Sequence, residues 1–284
     1  MSSASGLVLI AEEDRDPWRA STCGTGQMLL AARGFGVDEV LLGIGGSATN
    51  DGGAGMAAAI GYRFIDAQGD EIDKIPEQLE KVDALFPDLA VDLPLVTVAC
   101  DVRNPLLGAN GATRVFGKQK GIGDEDIGRH EARLAHFADL VEAERGCDFR
   151  DTPGAGAAGG LGFGLMSFCD AELKPGFDLV AETIGLDAAI AGVDLVVTGE
   201  GRIDDQSLMG KAPGGVAERA REQGKPVVAF CGSVAASELL AQQFDGVYPL
   251  VEAAGDEEVA MTRATQQLKI RVAQALPLLE RWAP

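Results

Sequence analysis

LLGIGGSATNDGGAGM, residues Leu41–Met56, decides how the rest of the chain is read. A short apolar run ends in glycines, and small polar residues and an acid follow: Ser47, Thr49, Asn50 and Asp51. Glycines permit a tight turn and let backbone N–H groups approach an anion. The hydroxyls add hydrogen bonds, and Asp51 can hold a metal ion or accept a proton. The helical stretch AGMAAAIG comes next, so the pattern is strand, phosphate- or carboxylate-binding turn, helix. A plain strand-to-helix turn uses the same residue types. The number of glycines favours a binding turn, with Gly45, Gly46, Gly52 and Gly53 as the N–H cradle.

The same alternation recurs along the chain. DEVLLGIGG and DLPLVTVACDV read as buried strands, the second ending at Asp101. Gly123–Arg145 has helical periodicity, with Ile127, Leu134, Phe137, Leu140 and Val141 on one face. It carries both histidines, His130 and His136. Their spacing of six puts them on different faces, and both read as surface residues. DLVVTGEGR reads as a buried strand running into a polar loop, GGVAERAREQGK as an amphipathic helix, PVVAFCGSV as a strand, and Glu257–Arg281 as one closing helix. Alternating strands and helices predict an α/β fold with parallel strands and two domains, 1–193 and 194–284, the boundary falling at a composition change near Asp194.

Composition narrows the function. The 284 residues are 46% hydrophobic and 5% aromatic, with 38 glycines, so small residues do much of the packing. A net charge of −20 argues against nucleic acid or an anionic membrane as partner, while leaving room for a small anionic substrate. Five cysteines in no recognisable spacing give neither a disulfide framework nor a zinc site, and a reducing cytoplasm fits them. No run is long enough to span a bilayer, and the first residues do not read as a signal peptide.

Familiar signatures fail. No Gly-x-x-x-x-Gly-Lys-Ser/Thr is present, and Gly45–Thr49 lacks the closing glycine of a nucleophile elbow. Gly154–Gly159 matches the dinucleotide pattern by letter but follows Asp-Thr-Pro instead of a strand. Gly43–Ala48, with Asp66 ending the next strand, keeps a nicotinamide-dependent oxidoreductase as an alternative.

Four long stretches, in order, resemble the bacterial glycerate kinases: Gly43–Met56, Ala99–Gly121 (ACDVRNPLLGANGATRVFGKQKG), Pro153–Leu165 (PGAGAAGGLGFGL) and Asp194–Ala217 (DLVVTGEGRIDDQSLMGKAPGGVA). The resemblance covers essentially the whole chain. It implies transfer of the ATP γ-phosphoryl group to D-glycerate with Mg²⁺, usually giving 2-phosphoglycerate. It also implies a flavodoxin-like domain interrupted by a second α/β domain, residues 1–193 being mainly the inserted domain and 194–284 the end of the flavodoxin-like one. A homo-oligomer is compatible with it. The family's early Asp-Ser-Phe-Lys motif and a later Asp-Gly-Gly-Glu-Gly segment are missing. The expectation is therefore a chain shorter than the family at its N-terminus, catalytically poor and prone to self-association, and a non-catalytic remnant is the second alternative.

Phosphoryl transfer needs charge neutralisation and alignment more than covalent chemistry. Asp101, Asp51 and Arg202 are the catalytic candidates, with Asp101 and Asp51 as metal ligands. Gly45, Gly46, Ser47, Thr49, Asn50, Gly52, Asn104, Glu200, Asp204, Gln206 and Lys211 are the candidates for substrate or phosphate contacts. Glu200, Arg202, Asp204 and Gln206 are expected in one loop after a strand, Arg202 on the substrate carboxylate. Lys118 and Lys120 are further candidates for phosphate, ranked below Lys211.

Overall fold

A computed structural model describes residues 1–204, 212–235 and 238–282. The chain divides into two compact units, Met1–Gly176 and Phe177–Pro284.

The first unit is built on three parallel strands in the order β1 (Glu39–Gly43), β4 (Leu95–Ala99) and β5 (Glu172–Lys174), with Leu42 opposite Val98. The central β4 buries Val96, Thr97 and Val98 in succession, as a strand covered on both faces does. β1 is an edge strand. Only Leu42 is buried and Leu41 is 46% exposed, which corrects the reading of this segment as a buried strand. An antiparallel pair, β2 (Arg63–Asp66) and β3 (Val82–Phe86), forms a separate sheet. β1 and the strand ending at Asp66 thus belong to different sheets, and the parallel neighbours that a dinucleotide site requires are not there.

Two helices close the core. Ile127–Arg145 buries Leu134, Phe137 and Val141 of the face read from sequence, with Ala138 beside them, while Ile127 and Leu140 are half-buried; it ends at Gly146 with φ 64°. Ala157–Cys169 is buried along nearly its whole length, with left-handed residues Ala158, Gly159 and Gly160 inside its first turn. That distortion lets two glycine segments cross backbone to backbone. The Gly52 N–H donates to the Gly159 carbonyl at 3.0 Å. A Cβ on Gly159 would lie 1.9 Å from the Thr49 carbonyl oxygen, and one on Gly160 2.7 Å from the Gly52 Cα. No side chain fits either position without moving backbone.

The second unit has three parallel strands in the order β6 (Val196–Ile203), β7 (Val227–Val234) and β8 (Gly246–Pro249). β7 is central and buries Val227–Cys231 without a break. β6 is an edge whose burial is intermittent, another correction to a strand read as buried. The helix Ala212–Glu222 lies between β6 and β7 in sequence, the βαβ unit that the pattern predicts. Arg219 from this helix reaches Asp178 at 3.0 Å and Asp187 at 2.7 Å. These bonds tie the helices around 177–191 to the second unit, so the division falls at Gly176/Phe177 and not at the composition change near Asp194. The tail is two helices, Glu257–Thr262 and Ala264–Leu279, broken at Arg263, followed by a 3₁₀ turn, Glu280–Trp282.

His130 also departs from its sequence reading. It is fully buried, its ring 4.0 Å from that of Trp18, and the guanidiniums of Arg129 and Arg133 lie over Trp18 at 4.4 and 4.5 Å. Neither ring nitrogen has a partner among the described residues. Burial, and then the two arginines, lower its pKa from near 6.5 to about 3. His136 lies on another face, as the spacing predicts, and its Nε2 donates to the Val82 carbonyl at 2.6 Å.

The unfolded chain therefore protonates His130 at a higher pH than the native state. Its contribution to stability is complete above pH 6.5 and is lost as pH falls toward 3, at up to about 1.4 kcal/mol per pH unit for one proton. His130→Phe is expected to flatten the acid limb of unfolding free energy against pH by about one proton, measured by urea unfolding between pH 4 and 7. An unchanged slope would mean that the ring is not buried neutral.

Candidate functional site

A cavity of about 290 Å³ opens beside the C-terminal ends of β1 and β4. Ligands of open parallel sheets collect at that end. The turn after β1 supplies Gly45, Gly46 and Ser47, and the segment after β4 supplies Cys100, Asp101 and Val102. A 3₁₀ turn at Lys118–Lys120 contributes Gln119 and Lys120, and the start of the helix Ala157–Cys169 contributes Ala157 and Ala158. Three of the four family-like stretches thus meet at one opening.

Asp101 is exposed at the cavity. Its Oδ1 accepts the Gly176 N–H at 2.7 Å, while Oδ2 accepts nothing among the described residues. Lys120 is 2% exposed, and its ammonium donates to Ser47 Oγ at 2.8 Å and to the Thr49 carbonyl at 2.7 Å. Burial lowers its pKa to about 7, against the opposing pull of Asp51.

Several sequence candidates have other work. Asp51 is fully buried and absent from the cavity wall. Its Oδ2 accepts from Thr22 N–H at 2.9 Å, Thr22 Oγ1 at 2.8 Å and Gly55 N–H at 3.2 Å, and its Oδ1 from Gly53 N–H at 3.2 Å. Burial raises its pKa and these bonds oppose the rise. A carboxylate held in this way pins the loop, and its burial keeps it off the cavity wall. Gly52 and Gly53 give their N–H groups to Gly159 and Asp51, so the cradle read from sequence shrinks to Gly45 and Gly46. Asn50 is buried, donating to Thr113 Oγ1 at 3.1 Å, and its carbonyl accepts from Arg133 at 3.0 Å. Thr49 Oγ1 donates to the Ala158 carbonyl at 3.3 Å, and Asn104 donates to the Asn110 carbonyl at 2.8 Å. Thr49, Asn50 and Asn104 do not line the cavity.

In the second unit, Glu200 and Arg202 lie on β6 itself, because the strand continues to Ile203. The expected loop starts after them. Both line a largely apolar trough of about 950 Å³, with Val197, Phe230, Leu250 and Leu268. Glu200 Oε1 is buried there without a partner among the described residues. Arg202 lies 3.8 Å from Asp204. Gln206 and Lys211 fall outside the described residues.

Among the described residues no group of three or more His, Cys, Asp or Glu is gathered for a metal ion. That does not conflict with Mg²⁺, which keeps its waters and takes one or two carboxylates plus substrate phosphates. Asp101 Oδ2 suits that role and the saturated Asp51 does not. The sequence left the site use of Lys120 undecided. Its signal was faint, a lysine just before Gly121, whose φ of 97° ends the 3₁₀ turn.

The glycerate kinase family, as a sequence family, matches residues 1–280. Glycerate kinase from Bacillus subtilis strain 168 is 42% identical over 274 residues, covering 95% of this chain and 72% of that protein. Glycerate 2-kinase from Escherichia coli K12 is 45% identical over 237 residues, covering 82% of this chain and 62% of the relative. A glycerate kinase from Halalkalibacterium halodurans is 47% identical with the same two coverages. A crystal structure described as a glycerate kinase 2 from Salmonella typhimurium LT2 superposes with a TM-score of 0.78 at 40% identity, over 96% of this chain and 75% of that one. The chain therefore spans about six to seven tenths of the length of these relatives.

Asp51→Ala strips a buried carboxylate from four donors and removes the counter-charge felt by Lys120 and Arg133. It should cost about 3–5 kcal/mol of unfolding free energy in urea. Asp101→Ala, at an exposed position with one bond to backbone, should cost about 1 kcal/mol or less. Equal losses would show that Asp51 is no anchor.

Proposed function

The chain belongs to the glycerate kinase family, and from that premise we propose that it phosphorylates D-glycerate with MgATP. The observation that carries this reading is the convergence of three family-like stretches on one cavity of the first unit, with Asp101, Lys120, Ser47 and the Gly45–Gly46 turn around it. At about 290 Å³ the cavity lies near the lower end of ligand clefts and suits a three-carbon acid.

The chemistry falls mainly to Asp101. Its uncommitted Oδ2 is the group in the cavity able to orient the attacking hydroxyl and take up its proton. The bond from Gly176 holds the carboxylate in place while leaving that oxygen open. Mg²⁺, when bound, would neutralise charge on the phosphoryl oxygens, and holding it is the alternative role for Asp101 Oδ2, in place of the hydroxyl. Gly45 and Gly46 line the same opening, where backbone N–H groups would suit an anionic oxygen. The roles of Glu200, Arg202, Asp204, Gln206 and Lys211 rest on the family resemblance, as does 2-phosphoglycerate as the product. All five cysteines are free thiols, which supports a reducing compartment such as the cytoplasm. No helix among the described residues is long and apolar enough to cross a membrane.

A coupled ADP assay with D-glycerate and MgATP tests the reading. Glycerate-dependent turnover is expected, and equal ADP release with and without glycerate would refute it. Asp101→Asn should lower kcat by roughly a hundredfold at nearly unchanged melting temperature. A folded variant with normal kcat would make Asp101 a helix-capping residue only.

A further inference from the structure

Lys120 is buried in an unusual way. It makes no ion pair among the described residues, and its two recorded partners, Ser47 Oγ and the Thr49 carbonyl, are neutral. The buried acid that acts on it electrostatically, Asp51, gives its oxygens to Thr22, Gly53 and Gly55. An ammonium has three donors, so one has no acceptor among the described residues. Burying the charged amine in this state is costly, and either loss of its proton or the arrival of an anion relieves the cost. The side chain forms part of the cavity wall, where its neighbours Leu7, Ile44, Val102 and Phe116 are apolar. The carboxylate on that wall is Asp101, which is exposed. The cavity thus carries one enclosed cation and one exposed carboxylate, the complement of a small molecule with an acid group and a hydroxyl.

We propose that Lys120, held by Ser47 and Thr49, receives the substrate's carboxylate, which turns the hydroxyl to be phosphorylated toward Asp101. The inference rests on the kinase reading for the word substrate, but it also stands as a binding site for a small hydroxy acid. Burial lowers the Lys120 pKa to about 7, and a carboxylate bound beside it would favour the protonated amine. Lys118, which is exposed and paired with Asp124 at 2.8 Å, shows none of these features. Lys120 is the lysine of this segment that the cavity selects.

The test uses the full chain and three variants, Lys120→Met, Lys120→Arg and Ser47→Ala, with melting temperatures measured for each. Binding of D-glycerate, of the uncharged glyceramide and of inorganic phosphate is followed by calorimetry, and KM and kcat by the ADP assay. Wild type should prefer glycerate to glyceramide, and Lys120→Met should lose that preference and weaken glycerate at least tenfold. Lys120→Arg should keep part of the preference, and Ser47→Ala should weaken glycerate a few-fold. The KM for ATP should stay within about twofold. Lys120→Met that melts normally and binds glycerate like wild type overturns the inference. So does a loss confined to ATP or phosphate, which would place a phosphoryl oxygen on Lys120 instead. Should Lys120→Met fail to fold, normal glycerate binding by both Lys120→Arg and Ser47→Ala overturns it as well, as does a wild-type chain that binds no glycerate. Glycerate binding that depends on Lys120 in a chain releasing no ADP keeps this site and removes the kinase reading.

Discussion

The first unit depends on a crossing of two backbones. The segment Gly52–Gly53 meets Gly159, Gly160 and Gly164 with no side chain between them. Contact at this distance needs glycine on both sides, and it forces the helix Ala157–Cys169 to begin with left-handed residues. Three consequences follow. The turn after β1 is fixed against the helix, Ala157 and Ala158 are brought to the cavity wall, and Gly53 is set to donate to Asp51. The cost is conformational entropy lost at each glycine. It is offset by the apolar core around the crossing, where Phe137 and Leu134 lie within 3.3 Å of where a Gly52 Cβ would be.

Around this crossing the fold gathers buried charge. Asp51, Lys120 and Arg133 are all nearly inaccessible, and each is held by neutral partners: Thr22 and backbone N–H groups for Asp51, Ser47 and Thr49 for Lys120, and the carbonyls of Asn50, Pro17 and Pro76 for Arg133. Charges are separated from direct ion pairing and spread through a network that includes the glycine loop. Removing one member leaves the others uncompensated, so the loop geometry is sensitive to the loss of any of them. Asp101 stands apart, exposed and with Oδ2 accepting no bond among the described residues.

Much of the fold was legible from the chain. The α/β class, the apolar face of Ile127–Arg145 and the parallel unit β6–helix–β7 follow from periodicity, because a helix or central strand must bury the same side chains whatever its partners. Edge status was not legible. β1 and β6 carry apolar residues typical of central strands, yet among the described residues each has one neighbouring strand. The break at Arg263 in the tail has no glycine or proline to announce it. Position in a sheet depends on which distant segments pair.

The site divides in the same way. The sequence by itself determined the family and the four ordered stretches, since these lie in local residue order. It also supplied the glycines and acids but not their duties. Asp51 and Asp101 look alike in sequence, each a carboxylate beside a predicted strand end. Only the tertiary structure buried one under four donors and left the other open, and only it enclosed Lys120 while leaving Lys118 in solvent. His130 went into the core for the same reason. Burial is set by contacts between residues far apart in the chain, and burial decides whether a charge serves the fold or meets a ligand.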